Sequence, residues 1–439
     1  MKKIASTTAA ALLLTGLLSA CGGNDSNNAS NSASKAPAAS QQSSSASSAD
    51  AKKDPVTLRF VSFGAAKAEL FGKIVAAFNE SHPNITVEFT TNTQNYHAQL
   101  KTQLATGEAP DIVTHLIGKG MVPYVEADHL MDLSNESFIQ KLQPAALESV
   151  TYEGKVYGIP LDTQAWGVYY NKQLFQEAGI TELPRTYSDF KSVVQTFKDK
   201  GITPFAVNYR DAWSLGQFAT IGYSPQVVAD VKGNPDSFKP GSWSFNTPEF
   251  KSVLTALDLV IDNAQERAVD TDLSGQTTLF ATGKTAMMVT GNWSLLQLRK
   301  LNPELDAGMF PLPFTEQPEN NVFPADYALC LNIISHTKHP EEAKLFIDFL
   351  LDSQGPAGFY YDEIGTPSAL TNSAAKLDPV SDELKAALDQ NKTVSWFQNL
   401  LPEGFDGEVW KAVQSYATMD NRDHDKFAGL LDNLFANTK

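Results

Sequence analysis

The sequence predicts an α/β fold from two observations: a strand–helix–strand unit at the start of its folded part, and amphipathic helices further along. Apolar and polar residues alternate in VTLRFVSF and in NITVEF, which is the period of a half-buried strand. Between them, KAELFGKIVAAFNE carries its apolar side chains on one helical face. Two strands joined by one crossover helix are expected to lie parallel in the same sheet.

Later segments extend this pattern. PDIVTHL indicates a short buried strand, and apolar residues recur at helical spacing in FKSVVQTFKDKG, PEFKSVLTALDLVIDN and HPEEAKLFIDFLL. The second of these helices is expected to begin with Thr247 as its N-cap, followed by Pro248 at the first helical position. The fold class is therefore α/β, with helices on both faces of mainly parallel sheets.

Residues 1–20 have the composition of a secretory signal peptide. Two lysines precede an apolar run from Ala9 to Leu18, which is shorter than the roughly 20 residues that span a bilayer. The run ends in LSAC, which resembles the bacterial lipobox, where the cysteine is acylated and becomes the mature N-terminus. The resemblance implies a lipid anchor on Cys21. The alternative is an ordinary signal peptide with an incidental cysteine.

Residues 21–53 are predicted to form a disordered tether. They are rich in Ser, Ala, Asn and Gln, contain no aromatic residue, and bury too little apolar surface to offset the entropy of ordering them. A domain held by Cys21 and this tether would work on the extracytoplasmic face of the cell membrane.

Composition narrows the possible partners. The chain has 439 residues, 42% of them hydrophobic, and a formal charge of −16; removing the two lysines of the signal peptide, which has no acid, leaves −18. An acidic surface argues against nucleic acid and against an anionic membrane surface as direct partners. If Cys21 is acylated, Cys330 is the one cysteine left, which excludes an internal disulfide and a cysteine-based metal site. Its apolar setting in YALCLNII indicates an inert core thiol.

Catalytic motifs are missing or incomplete. ATGKTAM resembles the end of a phosphate-binding loop, but Thr278 stands where that loop needs its first glycine. His336 and His339 could share one helical turn, yet no third metal ligand is indicated beside them. No catalytic residue, metal or cofactor is therefore predicted, although composition alone leaves a pair of glycosidase carboxylates open.

Several tryptophans lie beside short polar side chains, in DTQAWGVYYN, NYRDAWSLG, TGNWSLL and TVSWFQNL. An indole can stack on the apolar C–H face of a pyranose ring, while Asp, Asn and Gln hydrogen-bond to its hydroxyls. Each tryptophan could equally be half-buried packing. Trp243, just before a helix start, and Trp410, at helical spacing, are interpreted as structural.

Five longer segments follow one another in a characteristic order: FNESHPNITVEF, QLATGEAPDIV, GKVYGIPLDTQAWGVYYNKQLFQEAGI, FATGKTAMMVTGNW and ADYALCLNIISHTKHPEEAKLFIDFLL. In this order they resemble the extracellular solute-binding proteins of carbohydrate ABC importers, the group that includes maltose-binding protein. The resemblance covers nearly all of the chain after the tether, and it does not specify the sugar.

The resemblance implies a two-lobed, periplasmic-binding-protein-like α/β fold. Each lobe would be a sheet flanked by helices, with the ligand in a hinged cleft between them. The implied ranges are 54–162 and 326–370 for the N-terminal lobe, and 163–325 and 371–439 for the C-terminal lobe. The implied crossings lie near Asp162–Ala165, Phe323–Tyr327 and Thr366–Thr371.

Positions matched to the family imply the ligand-binding residues. His115, five residues after the proline of APDIV, would be an aromatic wall of the cleft where many relatives have Trp. Asp162 would accept sugar hydroxyls, and Trp293 would stack on a ring. The full set is His115, Asp162, Gln164, Asp211, Trp213, Trp293, Asp326, Trp396 and Phe397.

The implied protein is not an enzyme. It would capture a sugar, with a tri- or tetrasaccharide of the raffinose or isomalto type favoured, and deliver it to the membrane permease of an ABC transporter. Its expected partners are the carbohydrate, the permease and the membrane through the lipid anchor, and it is expected to be a monomer. Two alternatives stay open: the same fold binding a non-sugar solute such as a polyamine or peptide, and a lipid-anchored glycoside hydrolase.

Overall fold

The structure is a computed structural model that describes residues 54–64, 67–92, 95–402 and 404–438, apart from the side chain of residue 119. The predicted signal peptide and tether, with Cys21, lie outside the described residues. Within the described part, no helix combines the length and the apolar character needed to cross a bilayer.

The described residues form strands and helices in alternation. The strands are β1 (Val56–Phe63), β2 (Ile85–Asn92), β3 (Ile112–Leu116), β4 (Thr151–Tyr152), β5 (Lys155–Val156), β6 (Ile159–Pro160), β7 (Gln164–Asn171), β8 (Thr203–Ala206), β9 (Thr285–Gly291), β10 (Ala307–Phe310), β11 (Phe323–Asp326), β12 (Leu329–Ile333) and β13 (Thr393–Val394). The helices are α1 (Ala68–Ser81), α2 (Tyr96–Thr106), α3 (Val122–Glu126), α4 (Pro144–Ser149), α5 (Lys172–Ala178), α6 (Tyr187–Asp199), α7 (Ala212–Gln217), α8 (Ser224–Gly233), α9 (Pro248–Asp262), α10 (Leu273–Ala281), α11 (Leu295–Leu301), α12 (Pro340–Leu350), α13 (Phe359–Ile364), α14 (Asp382–Asp389), α15 (Phe405–Ala417) and α16 (His424–Ala436).

The predicted opening unit is confirmed. β1 and β2 pair in parallel over their whole length, from Val56 opposite Ile85 to Phe63 opposite Asn92, and α1 crosses between them. The buried residues of α1 are the five apolar residues at helical spacing in the sequence, Leu70, Phe71, Ile74, Val75 and Phe78. Helical periodicity therefore identified the face that packs on the sheet.

The start of α9 is also confirmed. The side-chain oxygen of Thr247 accepts a hydrogen bond from the N–H of Phe250 at 3.2 Å, and Pro248 occupies the first helical position. This cap satisfies one of the N–H groups that a helix start leaves without an intrahelical partner.

Two main sheets organise the fold. In the first, the strand order is β2-β1-β3-β12-β6; in the second it is β13-β11-β7-β9-β8, with β10 also paired to β7. Buried apolar residues of the first sheet join a core built from residues 58–161 and 330–370. The second sheet is covered on both faces, by a large core that includes Trp166 and Phe205 and a smaller one that includes Tyr169 and Met288.

The expectation of mainly parallel sheets is wrong, because both sheets are mixed. β12 runs antiparallel to β3 and β6, and β7 runs antiparallel to β9, β10 and β11. β7 and β12 are the strands by which the chain enters one sheet directly from the other. Apolar alternation shows that a segment is a strand, but it does not reveal the direction in which a strand joins its sheet.

The chain passes between the two sheets through short connections. β6 of the first sheet leads to β7 of the second across residues 161–163, and β11 leads back to β12 across residues 327–328. The chain passes between the sheets a third time between Ala375 and Val380. Ala375 packs on the core of the first sheet, and Val380 is buried in the smaller core of the second sheet. The limits proposed above for the lobes stay a prediction.

Candidate functional site

The turn that follows β9 reaches across to the first connection between the lobes. Asn292 is 3% exposed, and its side-chain oxygen accepts a hydrogen bond from the N–H of Ala165 at 3.1 Å. Its side-chain amide donates to the carbonyl of Thr163 at 3.1 Å. One buried amide therefore holds the strand that enters the C-terminal lobe against the end of β9.

Three tryptophans from distant parts of the chain meet beside this turn. The ring centroid of Trp293 lies 6.3 Å from that of Trp213 and 6.0 Å from that of Trp396, with interplanar angles of 66° and 80°. Edge-to-face contacts of this kind are favoured by the charge distribution of aromatic rings. Trp213 and Trp293 are half-buried and Trp396 is buried, so the cluster is a compact aromatic corner with part of its surface exposed.

A buried ion pair faces this corner from the N-terminal lobe. The ammonium of Lys67, just before α1, donates to a carboxylate oxygen of Asp162, and the two side chains are 7% and 3% exposed. The hydroxyl of Thr366 donates to the other oxygen of Asp162 at 3.3 Å. A buried charge is tolerated when it is paired and hydrogen-bonded in this way.

The ion pair and Trp293 of the aromatic corner line one cavity between the lobes. Its lining residues are Lys67, Asp162, Gln164, Asn292, Trp293, Leu296, Ile364 and Thr366. Leu296, in α11, also packs on the core of the N-terminal lobe, so both lobes close around this space.

The predicted residues Asp162, Gln164 and Trp293 all lie in the lining of this cavity, and Trp213 and Trp396 adjoin it through Trp293. The structure thus brings together five of the residues taken from the family pattern. Contact of any of them with a ligand stays a prediction.

Asp211 and Asp326 are engaged with the protein itself. One carboxylate oxygen of Asp211 accepts from the amide of Asn208 at 2.8 Å and from the N–H of Leu273 at 3.0 Å. Asp326 accepts from the N–H groups of Tyr327 and Trp396 and from the side-chain amide of Asn399, at 2.9, 3.3 and 3.0 Å. Burial raises the pKa of Asp326 above its ordinary value. Asp326 thus holds the loop that carries Trp396, and Asp211 ties the residues just before α7, the helix that carries Trp213, to the start of α10.

His115 lies inside the N-terminal lobe and is 0% exposed, so this structure gives no support to its expected place on the cleft wall. Its Nδ1 lies 2.9 Å from the side-chain oxygen of Asn332 and donates to it, and its Nε2 has no hydrogen-bond partner among the described residues. Burial lowers the pKa of His115 to about 4, which keeps the ring neutral. Phe397 is likewise 0% exposed and packs against Tyr223 and Phe238.

The family pattern missed three polar residues of the lining, Lys67, Asn292 and Thr366. Asn292 directly precedes Trp293 in the segment TGNW. A polar residue next to a candidate stacking residue is the signal that could have identified it. Nothing local distinguishes Lys67 or Thr366 from solvent-exposed residues of their type.

In the part of the chain that the structure describes, nothing indicates a metal site or a reactive thiol. No group of three or more His, Cys, Asp or Glu side chains within the described ranges is placed to hold a metal ion. Cys330 is 0% exposed, and burial raises the pKa of its thiol to about 12, in keeping with the predicted inert core thiol.

Solved structures share the fold. The SBP RafE in complex with raffinose superposes with a TM-score of 0.76 over 87% of this chain and 99% of its own, at 22% sequence identity. The predicted two-lobed α/β fold is confirmed.

Sequence relatives extend over most of the chain. The multiple sugar-binding protein of Streptococcus mutans is 25% identical over 333 residues, or 74% of this chain and 77% of its own. The melibiose/raffinose/stachyose-binding protein MelE of Bacillus subtilis is 26% identical over 347 residues, or 76% and 79%. Residues 64–355 match the family model described as bacterial extracellular solute-binding protein. The resemblance seen in the sequence is confirmed, and the chain belongs to the bacterial extracellular solute-binding proteins.

Proposed function

We propose that this protein is a lipid-anchored, substrate-binding protein that captures an oligosaccharide between its lobes and delivers it to the permease of an ABC importer. One observation carries the proposal. Trp293, from the C-terminal lobe, shares a cavity with the buried pair of Lys67 and Asp162, from the N-terminal lobe.

The residues that line the cavity carry the groups that a sugar ring needs. The space itself is about 10 Å³, room for a single water molecule, so a ring would enter when the lobes separate. The face of an indole suits the apolar C–H face of a pyranose, because both are flat and apolar. The ammonium of Lys67 donates hydrogen bonds, the carboxylate of Asp162 accepts them, and the amides of Gln164 and Asn292 can do both. Hydroxyl groups, which both donate and accept, match this mixed set.

The charges of the lining favour a neutral ligand over a polyamine. Among the described residues of the lining, Asp162 is the one carboxylate, and it is already paired with Lys67. To reach the carboxylate, a cationic ligand would have to break the ion pair between Lys67 and Asp162. Its positive charge would then lie beside the ammonium of Lys67. That juxtaposition of like charges in a buried space is costly.

The names of the relatives favour an oligosaccharide of two to four rings. One is described as binding melibiose, raffinose and stachyose, and RafE was solved with raffinose. These sugars are therefore the first probes for this chain.

The mechanism needs no chemical step. A sugar that touches Trp293 on one lobe and Asp162 on the other stabilises the closed arrangement relative to an open one, and the population shifts accordingly. The closed form would then dock on the permease. Incubation with the bound sugar should release no reducing sugar; release would instead indicate a glycoside hydrolase.

The binding test uses protein produced without residues 1–20 and with Cys21→Ser. It is titrated with melibiose, raffinose, stachyose and maltotriose, with spermidine as the cationic control, by calorimetry and tryptophan emission. We expect saturable binding of a sugar and none of spermidine. If the folded protein gave no binding signal with any of the sugars, or bound spermidine saturably, the proposal would be contradicted.

Two variants locate the ligand. Trp293→Ala should weaken binding by tenfold or more, about 1.4 kcal/mol or above. Trp243→Ala is the matched control, because Trp243 is also half-buried in the C-terminal lobe but packs on Phe238, outside the cavity. Equal affinities of the two variants would remove Trp293 from the site.

The lipid anchor has its own test. Mass spectrometry of the mature protein should find Cys21 at the N-terminus with acyl chains attached. A Cys21→Ala variant should lose its association with the membrane fraction. An unmodified Cys21 would show that the signal is of the ordinary secretory kind.

A further inference from the structure

The indole of Trp293 rests directly on the main chain of Gly291. A Cβ atom placed on Gly291 would lie 2.0 Å from Cζ3, 2.2 Å from Cη2 and 2.3 Å from Cε3 of that indole. Carbon atoms in contact are normally about 3.5–4.0 Å apart. No residue with a side chain can therefore occupy position 291 while the indole keeps this place.

The backbone of Gly291 is held from two directions. Gly291 pairs with Trp166 at the end of β9, a strand that lies between β7 and β8 in the sheet. The next residue, Asn292, is hydrogen-bonded through its side chain to Thr163 and Ala165. A collision at position 291 would therefore be relieved by movement of the indole, since the strand has little freedom to shift.

The glycine is not required by the backbone conformation. Its φ and ψ are −96° and 169°, an extended conformation that any residue adopts. What glycine supplies here is empty space for the indole. Alanine at this position therefore tests steric room without adding backbone strain.

Movement of the indole would dismantle the aromatic corner. Trp293 is the member that contacts both other tryptophans, at centroid distances of 6.3 Å to Trp213 and 6.0 Å to Trp396. It is also the member of the three that lines the cavity.

We propose that Gly291 is the positioning residue of the binding site, and that its missing side chain fixes the orientation in which Trp293 meets a ring with an apolar C–H face. Gly291 touches no ligand itself and acts through Trp293. The inference rests on the proposed binding of a sugar at this cavity.

Gly291→Ala is the test variant. We expect its dissociation constant for the sugar bound by the wild type to rise by tenfold or more. We also expect its aromatic circular dichroism and tryptophan emission to change without ligand, because the three indoles lose their arrangement. A wild-type dissociation constant together with wild-type spectra would overturn the proposal.

Gly308→Ala is the matched control. A Cβ on Gly308 would lie 2.4 Å from Cε1 of Tyr170, so the collision is of the same kind and in the same sheet, away from the cavity. We expect this variant to lose stability while keeping its sugar affinity and tryptophan emission. Equal loss of affinity in both glycine variants would show a general effect of packing and overturn the positioning role.

A double variant separates positioning from structure. If Gly291 acts through Trp293, Gly291→Ala should add no further loss of affinity in a Trp293→Ala background. If Gly291→Ala does not fold, the double variant should fold, because the indole that collides is gone. A further loss of affinity, or a double variant that also fails to fold, would contradict the proposal.

Failure of the proposed function is distinguishable from failure of this inference. If the wild type binds no sugar of the panel, the proposed function falls, while the ligand-free spectra of Gly291→Ala and Gly308→Ala still decide whether Gly291 positions Trp293. If sugar binds and depends on Trp293 but not on Gly291, the function stands and the inference falls.

Discussion

The two walls of the cavity differ in kind. The N-terminal lobe contributes Lys67, Asp162 and Thr366, polar groups that are already bonded to one another. The C-terminal lobe contributes the amides of Gln164 and Asn292 and, as its largest side chain, Trp293, which is flanked by two further tryptophans and offers an apolar face. A ligand must compete with internal hydrogen bonds at the first wall, but it finds a prepared surface at the second.

This difference assigns separate roles to the walls. Exchanging an internal hydrogen bond for one to a ligand changes the binding free energy little. A buried donor or acceptor that the ligand leaves without a partner lowers affinity strongly. The polar wall therefore selects which pattern of hydroxyl groups is accepted. Apolar contact gains free energy with any ring of suitable shape, so the aromatic wall supplies affinity with less discrimination.

The largest expected effect comes from breaking the polar wall. Lys67→Met leaves the buried carboxylate of Asp162 without its cation, and we expect a loss of about 3–5 kcal/mol in the free energy of unfolding, measured with urea. The double variant Lys67→Met with Asp162→Asn removes both charges and should recover most of this loss. A single variant that costs less than about 1 kcal/mol would show that the wall does not depend on this pair.

The second prediction concerns the pH dependence of stability that the buried His115 produces. It tests whether the N-terminal lobe lacks an aromatic wall of its own. The pKa of His115 is lowered from 6.5 to about 4 in the folded protein, so the unfolded chain binds a proton more readily. The associated stability is complete above about pH 6.5 and is lost as the pH falls to about 4, in total about 3 kcal/mol.

His115→Phe should remove this part of the pH dependence of unfolding, whereas the same change at the exposed His336 should leave it in place. Titration by NMR gives the pKa directly. An ordinary pKa for His115 would mean that the ring reaches solvent and could line the cleft after all.

The third prediction concerns the aromatic wall, where substitution of one tryptophan should change sugar affinity by a smaller amount. Trp213→Ala removes one neighbour of Trp293, and we expect sugar affinity to fall on the order of tenfold, about 1.4 kcal/mol, by calorimetry. Trp213→Phe keeps an aromatic face and should retain most of the affinity. Similar losses for both variants would show that the indole is needed for more than its apolar face.

The smallest expected effect concerns an ion pair that joins the two lobes. The ammonium of Lys300 in α11 lies 2.9 Å from a carboxylate oxygen of Glu69 in α1, and both side chains are exposed. Hydrogen bonding to Lys300 lowers the pKa of Glu69. Because exposed pairs are screened, Lys300→Gln should change sugar affinity by less than about threefold at low salt and not at all at 1 M salt. A larger change would make the pair part of the closing mechanism.

How far the sequence predicted the fold depends on the element. Alternation and helical spacing gave β1, α1 and β2 with their buried faces, because one face of each is covered and the other is not. The crossover helix also gave the parallel pairing of β1 with β2, but no pattern gave the antiparallel directions of β7 and β12. The segment that contains His115 was predicted to be a buried strand and is one, whereas the family resemblance placed that side chain on the cleft wall. β3 is covered on both faces, so alternation along it carries no information about which side chain reaches a surface.

How far the sequence predicted the candidate site likewise depends on the residue. Residues inside long family segments, such as Asp162 and Trp293, could be matched by position and lie at the cavity. Lys67 and Thr366 could not, because their role arises from contact with Asp162, 95 and 204 residues away along the chain. Phe397 was placed at the site together with Trp396 by the family resemblance. Neighbours along a short 3-10 helix point in different directions, and the ring of Phe397 turns into the core.

The hydrogen bond from Ala165 to Asn292 gives the molecule a built-in reporter. This amide lies in β7, just after the connection between the lobes, and its acceptor belongs to the residue directly before Trp293. Exchange of an amide proton with solvent requires its hydrogen bond to open, so its rate measures how often that part of the chain loosens. Deuterium uptake at Ala165, followed with and without sugar, would therefore report how firmly a bound ligand holds the start of β7 to the turn that carries Trp293.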